Sequence, residues 1–217
     1  NHQHPITIAI GTDTRASRHS IQKLLESAFS MYPITVIECG TLPTSALVYF
    51  LKQHGYSYGI MITASHNPYY DNGIKIFGPS GTKLSTSDEE YISEYAQIAH
   101  YEPHRFEPQN HNTFATFKST TSALQEYRDF VLRKCHPSLH NTKIVLDTAA
   151  GACHKIASQI FQACGAEVII ASPEPTGYNI NSSCGSTSPH NIQHHVRKNN
   201  AHFGFAFDGD GDRVIAV

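Results

Sequence analysis

Short β-branched runs alternate with helix-like segments along this chain, and they do so in two separate series. The predicted strands are residues 5–10, 34–39, 58–63, 143–147, 167–171 and 203–207. Strands that are separated by helices form a largely parallel sheet with helices packed against it. The chain is therefore predicted to be α/β, with two similar domains, each a mainly parallel mixed sheet flanked by helices.

The segments between the strands carry helix signals. Ser17 is predicted to cap the first helix, and Thr44 is predicted to cap a second helix that ends at His54, before Gly55. Residues 87–90 form a capping box that opens a third helix. The apolar stripe of the first helix is expected to consist of Ile21, Leu24, Leu25 and Ala28.

The domain limits follow from a break in this periodicity. Residues 101–118 contain two prolines and no regular apolar spacing. The predicted organisation is a first domain over residues 1–108, a linker over 109–118 and a second domain over 119–217. Because the chain halts inside an apolar run just after Asp208–Arg213, the second domain is expected to be incomplete at its C-terminus, and the chain to be a piece of a longer protein.

Composition argues against several classes of function. With 217 residues, a net charge of -2 and a pI of about 6.8, the chain has no global field that would recruit nucleic acid or an anionic membrane. No apolar run approaches the roughly 20 residues that span a bilayer, and the polar first residues do not have the pattern expected of a signal peptide. Five cysteines without a C-x-x-C pair favour reduced thiols and a cytoplasmic location. Fifteen histidines without metal-binding spacing favour solvated histidines over a zinc site.

Three carboxylates alternate with glycines in the segment Asp208–Arg213, which we call the aspartate loop. Asp208, Asp210 and Asp212 would repel one another unless a cation lay between them, and the glycines permit the curl that brings them together. Oxygen ligands favour Mg²⁺, Mn²⁺ or Ca²⁺. A solvated acidic turn is the alternative. An EF-hand is disfavoured, because its loop needs flanking helices and a glycine where this chain has Arg213.

A serine follows the third predicted strand in the segment Thr63–Pro68, which we call the serine loop. Taken alone, Ser65 is better explained as a turn former than as a functional residue. Ser65 and His66 do not form a catalytic pair by adjacency, since neighbouring side chains in extended backbone point apart. Asn67 and Lys75 nearby favour a functional role, because a lysine can neutralise a transferring phosphoryl group or act as an acid or base.

Charge balance connects the two loops. Three aspartates carry about -3 and a phosphoserine about -2, of which one Mg²⁺ offsets only two charges. Arg15, Lys75 and Arg213 lie at predicted strand ends, where open α/β sheets bind ligands. The sequence therefore predicts that both loops meet around one divalent cation, with Ser65 carrying a phosphate.

Together these motifs resemble those of the α-D-phosphohexomutases, over essentially the whole chain. The segments that carry the resemblance are the serine loop, the aspartate loop, and residues 11–17, 40–44 and 72–75. Within the family, residues 71–75, 81–84, 179–181 and 184–187 look most like the bacterial phosphoglucosamine mutase branch. The family's opening arginine segment and its third and fourth domains have no match here, so poor turnover or none is expected of this piece alone.

The resemblance implies a role for each candidate residue. Ser65 would carry the phosphoryl group, and its oxygen would join the three aspartates in holding Mg²⁺. Lys75 and His66 would assist proton transfer, and Arg213 would steady phosphate charge. Arg15 and Asn67 are assigned to binding the substrate or its phosphate.

The implied reaction converts glucosamine 6-phosphate to glucosamine 1-phosphate. The phosphoserine gives its phosphoryl group to the hexosamine phosphate, the resulting bisphosphate turns around, and its other phosphate returns to the serine. A hexose bisphosphate is therefore both activator and intermediate. The resemblance also allows a homodimer of the full-length protein.

Three alternatives stay open at this point. One is a phosphomannomutase/phosphoglucomutase, because the residues that choose the sugar lie outside this chain. Another is a non-catalytic module that binds a metal or a sugar phosphate with the same loops. The third is a metal-dependent phosphatase, which would release inorganic phosphate without a bisphosphate activator.

Overall fold

A computed structural model describes residues 6–102, 114–135 and 138–217. Within these ranges the secondary structure alternates between strands and helices. In chain order the elements are β1 (Thr7–Thr12), α1 (Arg18–Phe29), β2 (Thr35–Thr41), α2 (Thr44–His54), β3 (Tyr58–Ile62), β4 (Ile74–Phe77), α3 (Thr86–Tyr101), β5 (Thr116–Ser119), α4 (Ser122–Lys134), β6 (Lys143–Asp147), α5 (Ile156–Ala163), β7 (Glu167–Ile170), α6 (Pro189–Lys198), β8 (Phe203–Phe207) and β9 (Val214–Ala216).

The strands form two sheets, and each sheet defines one domain. The first sheet has the order β4-β3-β1-β2-β5, and the second has the order β7-β6-β8-β9. Within each sheet one edge strand, β4 or β9, is antiparallel and the other pairs are parallel. The predicted fold class, two α/β domains with mainly parallel mixed sheets flanked by helices, is confirmed.

Helices cover both faces of the first sheet. On one face, core residues of α2 such as Leu47 and Phe50 pack with Ala9, and on the other, Ile21 and Leu25 of α1 pack against residues such as Ile10. The predicted stripe of α1 is partly wrong. Its Leu24 is 71 % exposed and its Ala28 is exposed as well, while Phe29 packs against the sheet in addition to Ile21 and Leu25. The face of α1 that packs on the sheet is narrow, because it consists of residues spaced by about one helical turn.

The second sheet is also packed on both faces. Ile144 and Leu146 of β6 lie in one core cluster with residues of α5, while Val145 packs with Ile192 of α6 on the other face. This alternation is the period of two that a strand covered on both sides requires. In the described part of the chain, no helix has both the length and the apolar character needed to cross a membrane.

Strand β5 was not anticipated. Residues 109–113 of the expected linker lie outside the described residues, whereas Thr116–Lys118 belong to β5 and pair in parallel with Thr35–Ile37 of β2. All four residues of β5 are exposed, so the segment lacks the apolar alternation that reveals a strand. The first sheet therefore extends to Ser119, and the limits 1–108 and 119–217 stay predictions from sequence.

Helix starts differ from the prediction by one or two residues. Pro43, not Thr44, is the N-cap of α2, whereas the end of this helix at Gly55, with φ 64°, is as predicted. The N-cap of α3 is Ser85, whose hydroxyl accepts a hydrogen bond from the Asp88 amide. Ser17 is the N-cap of α1, but among the described contacts its side chain makes no capping bond.

The strand ends bring the candidate segments together. At their carboxyl ends, β1 leads into Asp13, β3 into the serine loop and β8 into the aspartate loop. Backbone hydrogen bonds join the domains here, from the Thr44 amide to the Asp210 carbonyl (3.0 Å) and from the Ala16 amide to the Gly177 carbonyl (2.9 Å). The two loops are thus held at one place between the domains.

Candidate active site

The serine loop presents a hydroxyl to the aspartate loop. Ser65 lies three residues beyond β3 with φ 52°, a left-handed conformation that is uncommon for residues other than glycine. Its Oγ donates a hydrogen bond of 2.6 Å to Oδ2 of Asp208, from which it is separated by 143 residues in sequence. Ser65 is 8 % exposed. The predicted meeting of the two loops is therefore present in the geometry.

The aspartate loop gathers three carboxylates. One oxygen from each of Asp208, Asp210 and Asp212 lies within 4.8 Å of the others. The loop is closed by Oδ1 of Asp208, which accepts the backbone amides of Asp212 (3.1 Å) and Arg213 (3.2 Å). Gly209 is required by close approach, because a Cβ there would lie 2.4 Å from the Ser65 carbonyl oxygen.

Lys75 on β4 reaches across to this cluster. Its Nζ donates to Oδ2 of Asp210 at 2.6 Å and to Oδ2 of Asp212 at 3.0 Å. Burial lowers the pKa of Lys75, but the hydrogen bond and charge of Asp210 outweigh burial and raise the pKa above its ordinary value. Lys75 therefore stays charged at neutral pH beside the carboxylates.

The carboxylates differ in their electrostatic environments. Burial raises the pKa of Asp208, and the charges of Asp210 and Asp212 add to this effect, although the bond from Ser65 opposes it. Burial also acts to raise the pKa of Asp212, but the hydrogen bond and charge of Lys75 bring it below its ordinary value. Lys75 therefore offsets charge on the buried Asp210 and on the more exposed Asp212, while Asp208 accepts the hydrogen bond of the Ser65 hydroxyl.

The donor set fits a hard divalent cation. Among the described residues, Oδ1 of Asp210 is buried without a hydrogen-bond partner, which is costly unless some group binds it. Its Oδ2 is held by Lys75 and by the Thr44 hydroxyl at 2.5 Å. Three carboxylates and a hydroxyl, all oxygen donors, suit Mg²⁺, Mn²⁺ or Ca²⁺.

Three of the predicted residues lie on the exposed side of the cluster. Arg213 Nη1 and His66 Nδ1 are 3.2 Å apart, so these side chains contact each other across the domains. Asn67 donates through Nδ2 to Oδ2 of Asp71 at 3.1 Å. All three are exposed, as a group that meets a substrate from solvent must be.

The structure does not support the assignment of Arg15 to substrate binding. It was expected to bind substrate phosphate, but it is fully buried and its Nε pairs with Oδ2 of Asp13 at 2.9 Å. Its remaining donors bind backbone carbonyls of the serine loop and the residues after it, those of Ser65, Asn67, Pro68 and Asp71. A guanidinium has five N–H groups, and all are engaged, so Arg15 shapes the loop rather than meeting a ligand.

Sequence reasoning missed other residues that hold the site. Thr63 Oγ1 donates to Oδ2 of Asp13 at 2.7 Å and accepts from the Ser65 amide at 2.9 Å. Thr44, expected only as a helix cap, binds Asp210. Asn181 Nδ2 donates to the carbonyls of Ser65 and Asn67. A polar residue directly beyond a strand was the available signal for Thr63, and the family resemblance of residues 179–181 was the available signal for Asn181, although it did not indicate a contact with the serine loop.

This chain is similar to known families and proteins. The family model for phosphoglucomutase/phosphomannomutase, alpha/beta/alpha domain I, matches residues 1–102, and the model for domain II matches residues 123–217. Phosphoglucosamine mutase from Helicobacter pylori (strain Shi470) is 38 % identical over 219 residues, which cover 97 % of this chain and 47 % of that protein. Phosphoglucosamine mutase from Deinococcus deserti is 39 % identical over 210 residues, with 97 % and 46 % covered.

Solved structures agree on the fold. A phosphoglucomutase/phosphomannomutase family protein from Burkholderia thailandensis superposes with a TM-score of 0.81 at 23 % identity, covering 98 % of this chain and 46 % of that one. This chain thus spans about half the length of the relatives that it matches. With both domain models matched in order along its length, the chain belongs to the phosphoglucomutase/phosphomannomutase family.

Proposed function

We propose that this chain carries the phosphoryl-accepting serine and the metal loop of a phosphoglucosamine mutase. Such an enzyme interconverts glucosamine 6-phosphate and glucosamine 1-phosphate. The observation that carries the proposal is the 2.6 Å hydrogen bond between Ser65 Oγ and Asp208, which puts a hydroxyl nucleophile at the edge of a three-carboxylate cluster. The names of the curated relatives support this choice of substrate.

Asp208, Asp210 and Asp212, with the oxygen of Ser65, would hold one Mg²⁺. When bound, the ion would stabilise the negative charge that develops on the transferring phosphoryl group. The unpartnered Oδ1 of Asp210 supports this assignment, because a cation would satisfy it.

Ser65 alternates between two states in the proposed reaction. In the phosphorylated state, the serine gives its phosphoryl group to the free hydroxyl of the hexosamine phosphate. A new sugar oxygen–phosphorus bond forms as the serine oxygen–phosphorus bond breaks. After the bisphosphate has turned around, Ser65 Oγ accepts the other phosphoryl group, and its proton leaves. Catalysis is mainly positioning and charge stabilisation, as in other phosphoryl transfers.

The cations around the cluster have separate proposed roles. Lys75, charged and 2.6 Å from Asp210, would neutralise the transferring group and move protons to or from the sugar hydroxyl. Arg213 would steady phosphate charge, and His66, its contact at 3.2 Å, would assist proton transfer. Asn67 on the exposed side would contact the substrate. Arg15 has no place in this set.

The decisive experiment is phosphoryl transfer onto Ser65 in the full-length protein, because poor turnover is expected of this piece alone. The full-length protein is incubated with Mg²⁺ and a hexose 1,6-bisphosphate, and its intact mass is measured. We expect the gain of one phosphoryl group in the wild type and in Ser80→Ala, an exposed serine on another loop, and none in Ser65→Ala. A chain that stays unmodified, or that is modified equally in Ser65→Ala, would remove the proposal.

The same incubation separates the alternatives when inorganic phosphate and bound Mg²⁺ are measured beside the intact mass. A phosphatase would release inorganic phosphate continuously, and a non-catalytic module would bind Mg²⁺ without becoming phosphorylated. Discrimination from a phosphomannomutase/phosphoglucomutase needs the full-length protein, assayed with glucosamine, mannose and glucose 6-phosphates. Poor turnover by this chain alone, a homodimer of the full-length protein and a cytoplasmic location stay predictions.

A further inference from the structure

Two side chains from different domains hold the serine loop by the same carbonyl groups. Arg15 Nη2 donates to the carbonyl oxygens of Ser65 (3.1 Å) and Asn67 (2.8 Å). Asn181 Nδ2, from the loop between β7 and α6, donates to the same two oxygens at 2.9 and 3.0 Å. Arg15 belongs to the first domain and Asn181 to the second. The conformation of the serine loop therefore depends on contacts with both domains.

Asn181 is itself firmly placed. Its backbone amide donates to the Ala149 carbonyl at 2.9 Å, and its neighbour Ile180 is 1 % exposed. Its φ of 58° lies in the left-handed region, which asparagine tolerates better than most residues. The backbone of the second domain thus aims this amide at the first domain.

Asn181 also lies beside the aspartate loop. A Cβ on Gly209 would be 2.4 Å from the Ser65 carbonyl oxygen and 3.0 Å from Asn181 Nδ2, so three segments meet at this point. Ser65 has an uncommon φ of 52°, and a residue in such a conformation persists only where its surroundings enforce it. Among its described hydrogen-bond donors, the Ser65 carbonyl would keep the guanidinium of Arg15 alone if the amide of Asn181 were lost.

We propose that Asn181 is a positioning residue for phosphoryl transfer: its amide fixes the Ser65 carbonyl, and thereby keeps Ser65 Oγ against Asp208. Its catalytic consequence rests on the proposed function, whereas its effect on the loop does not. Asn181 makes no described contact with the side chains of Asp208, Asp210 or Asp212 and would act on the metal site only through Ser65, one of its four proposed ligands, so its loss should slow transfer far more than it weakens metal binding.

Two substitutions at Asn181 distinguish donation of hydrogen bonds from filling of space. Asn181→Gly removes the amide and accepts the positive φ. Asn181→Asp keeps the shape but turns a carboxylate toward two carbonyl oxygens. If the residue only filled space, the aspartate would be harmless and the glycine harmful. If the amide acts as donor, both are impaired and the aspartate is the worse. Asn141→Gly is the matched control, at an exposed position with φ 62°.

The first measurement compares transfer with metal binding. The rate of Ser65 phosphorylation by a hexose 1,6-bisphosphate is followed by intact mass, and Mg²⁺ affinity is measured by calorimetry. We expect the rate to fall by roughly 10- to 100-fold in both Asn181 variants, as small misplacements of reacting groups do, and affinity to stay within about threefold. Wild-type rates in Asn181→Asp, or an equal fall in rate and affinity, would overturn the inference.

The second measurement needs no activity. Hydrogen–deuterium exchange of the peptide over residues 63–72 includes the Asn67 amide, which binds the Ala64 carbonyl at 3.0 Å. Exchange there should be faster in both Asn181 variants and unchanged in Asn141→Gly. If the wild type is never phosphorylated, the proposed function fails, and exchange alone decides the positioning of the loop. Unchanged exchange in the Asn181 variants contradicts the inference in either case.

Discussion

The region around Arg15 and the region around Lys75 place two similar cations in opposite situations. Both residues lie near the strand ends of the first sheet, and both contact an aspartate. Arg15 is fully buried, and all its donors bind Asp13 or backbone carbonyls. The side chain of Lys75 is 23 % exposed and binds two carboxylates of the other domain. A ligand could therefore reach the second cation and not the first.

The two cations act on the two sides of the serine loop in different ways. Planar guanidinium can satisfy several fixed carbonyls at once, so Arg15 is suited to hold backbone. The ammonium of Lys75 is a compact charge on a flexible stem, which can follow carboxylates whose partners change during a reaction. We infer that the Arg15 region contributes mainly to stability, and the Lys75 region mainly to chemistry.

Arg15→Met should give the largest effect on folding. It leaves Asp13 buried without its ionic partner and removes the bonds to the serine-loop carbonyls, and a broken buried pair typically costs about 3–5 kcal/mol. Urea unfolding measures the loss. Arg128→Met, which removes a partly exposed pair with Asp129, should cost less than about 1 kcal/mol. A cost below about 1 kcal/mol for Arg15→Met would contradict a stabilising role of the buried guanidinium.

Lys75→Met should reverse this pattern. The side chain of Lys75 is 23 % exposed although its partner Asp210 is buried, so the free energy of unfolding should fall by less than in Arg15→Met, by about 1–2 kcal/mol. The phosphorylation rate of Ser65 should fall by roughly 10²- to 10³-fold, the usual cost of removing a group that stabilises transition-state charge. Lys75→Arg keeps the charge but not the shape, and should recover only part of the rate. A variant that unfolds readily yet transfers normally would contradict the assignment.

The fold was largely predictable because its signals are local. Strands such as 143–147 and 203–207 stand out by composition, and the structure has β6 and β8 over those same residues. The exposed strand β5 was not predicted, because it forms by pairing with β2 and its own residues lack a strand pattern. Leu24 was misplaced, since a stripe drawn from spacing alone is wider than the one that the sheet covers.

The candidate site was predictable only in part. Glycines between the three aspartates indicate a tight loop on which the carboxylates converge, and so the aspartate loop was predictable from sequence. The sequence does not distinguish Arg15 from Lys75, because both are cations near strand ends, and only burial separates them. Asn181 acts through contacts with residues more than a hundred positions away. Such contacts arise from the packing of the two domains, which no local pattern records.

Mg²⁺ should stabilise the folded chain by binding to the three aspartates beside Lys75. A ligand that binds only the folded state at about 100 times its Kd adds about 2.7 kcal/mol to the free energy of unfolding. We expect such a gain in the wild type and its loss in Asp210→Asn, measured by urea unfolding with Mg²⁺ or with a chelator. Asp129→Asn, remote from the cluster, should keep the gain. Equal stabilisation of the Asp210→Asn variant would place the cation elsewhere.

Asp208→Asn should give the smallest change in the free energy of unfolding of the variants considered, and the change should stabilise the folded chain. Because burial raises the pKa of Asp208 above 3.8, the folded chain binds this proton more readily than the unfolded chain. Stability without metal should therefore rise as the pH falls from neutral through the raised pKa. The amide would keep the loop's backbone bonds without the charge, so the variant should be more stable at neutral pH by about 1 kcal/mol and lack this pH dependence.

Asp212 has the opposite shift, because Lys75 lowers its pKa, and its contribution to stability should be lost as the pH falls below 3.8. Urea unfolding across pH with a chelator present measures both, and a destabilised Asp208→Asn variant would show that this carboxylate supports the fold as Asp13 does.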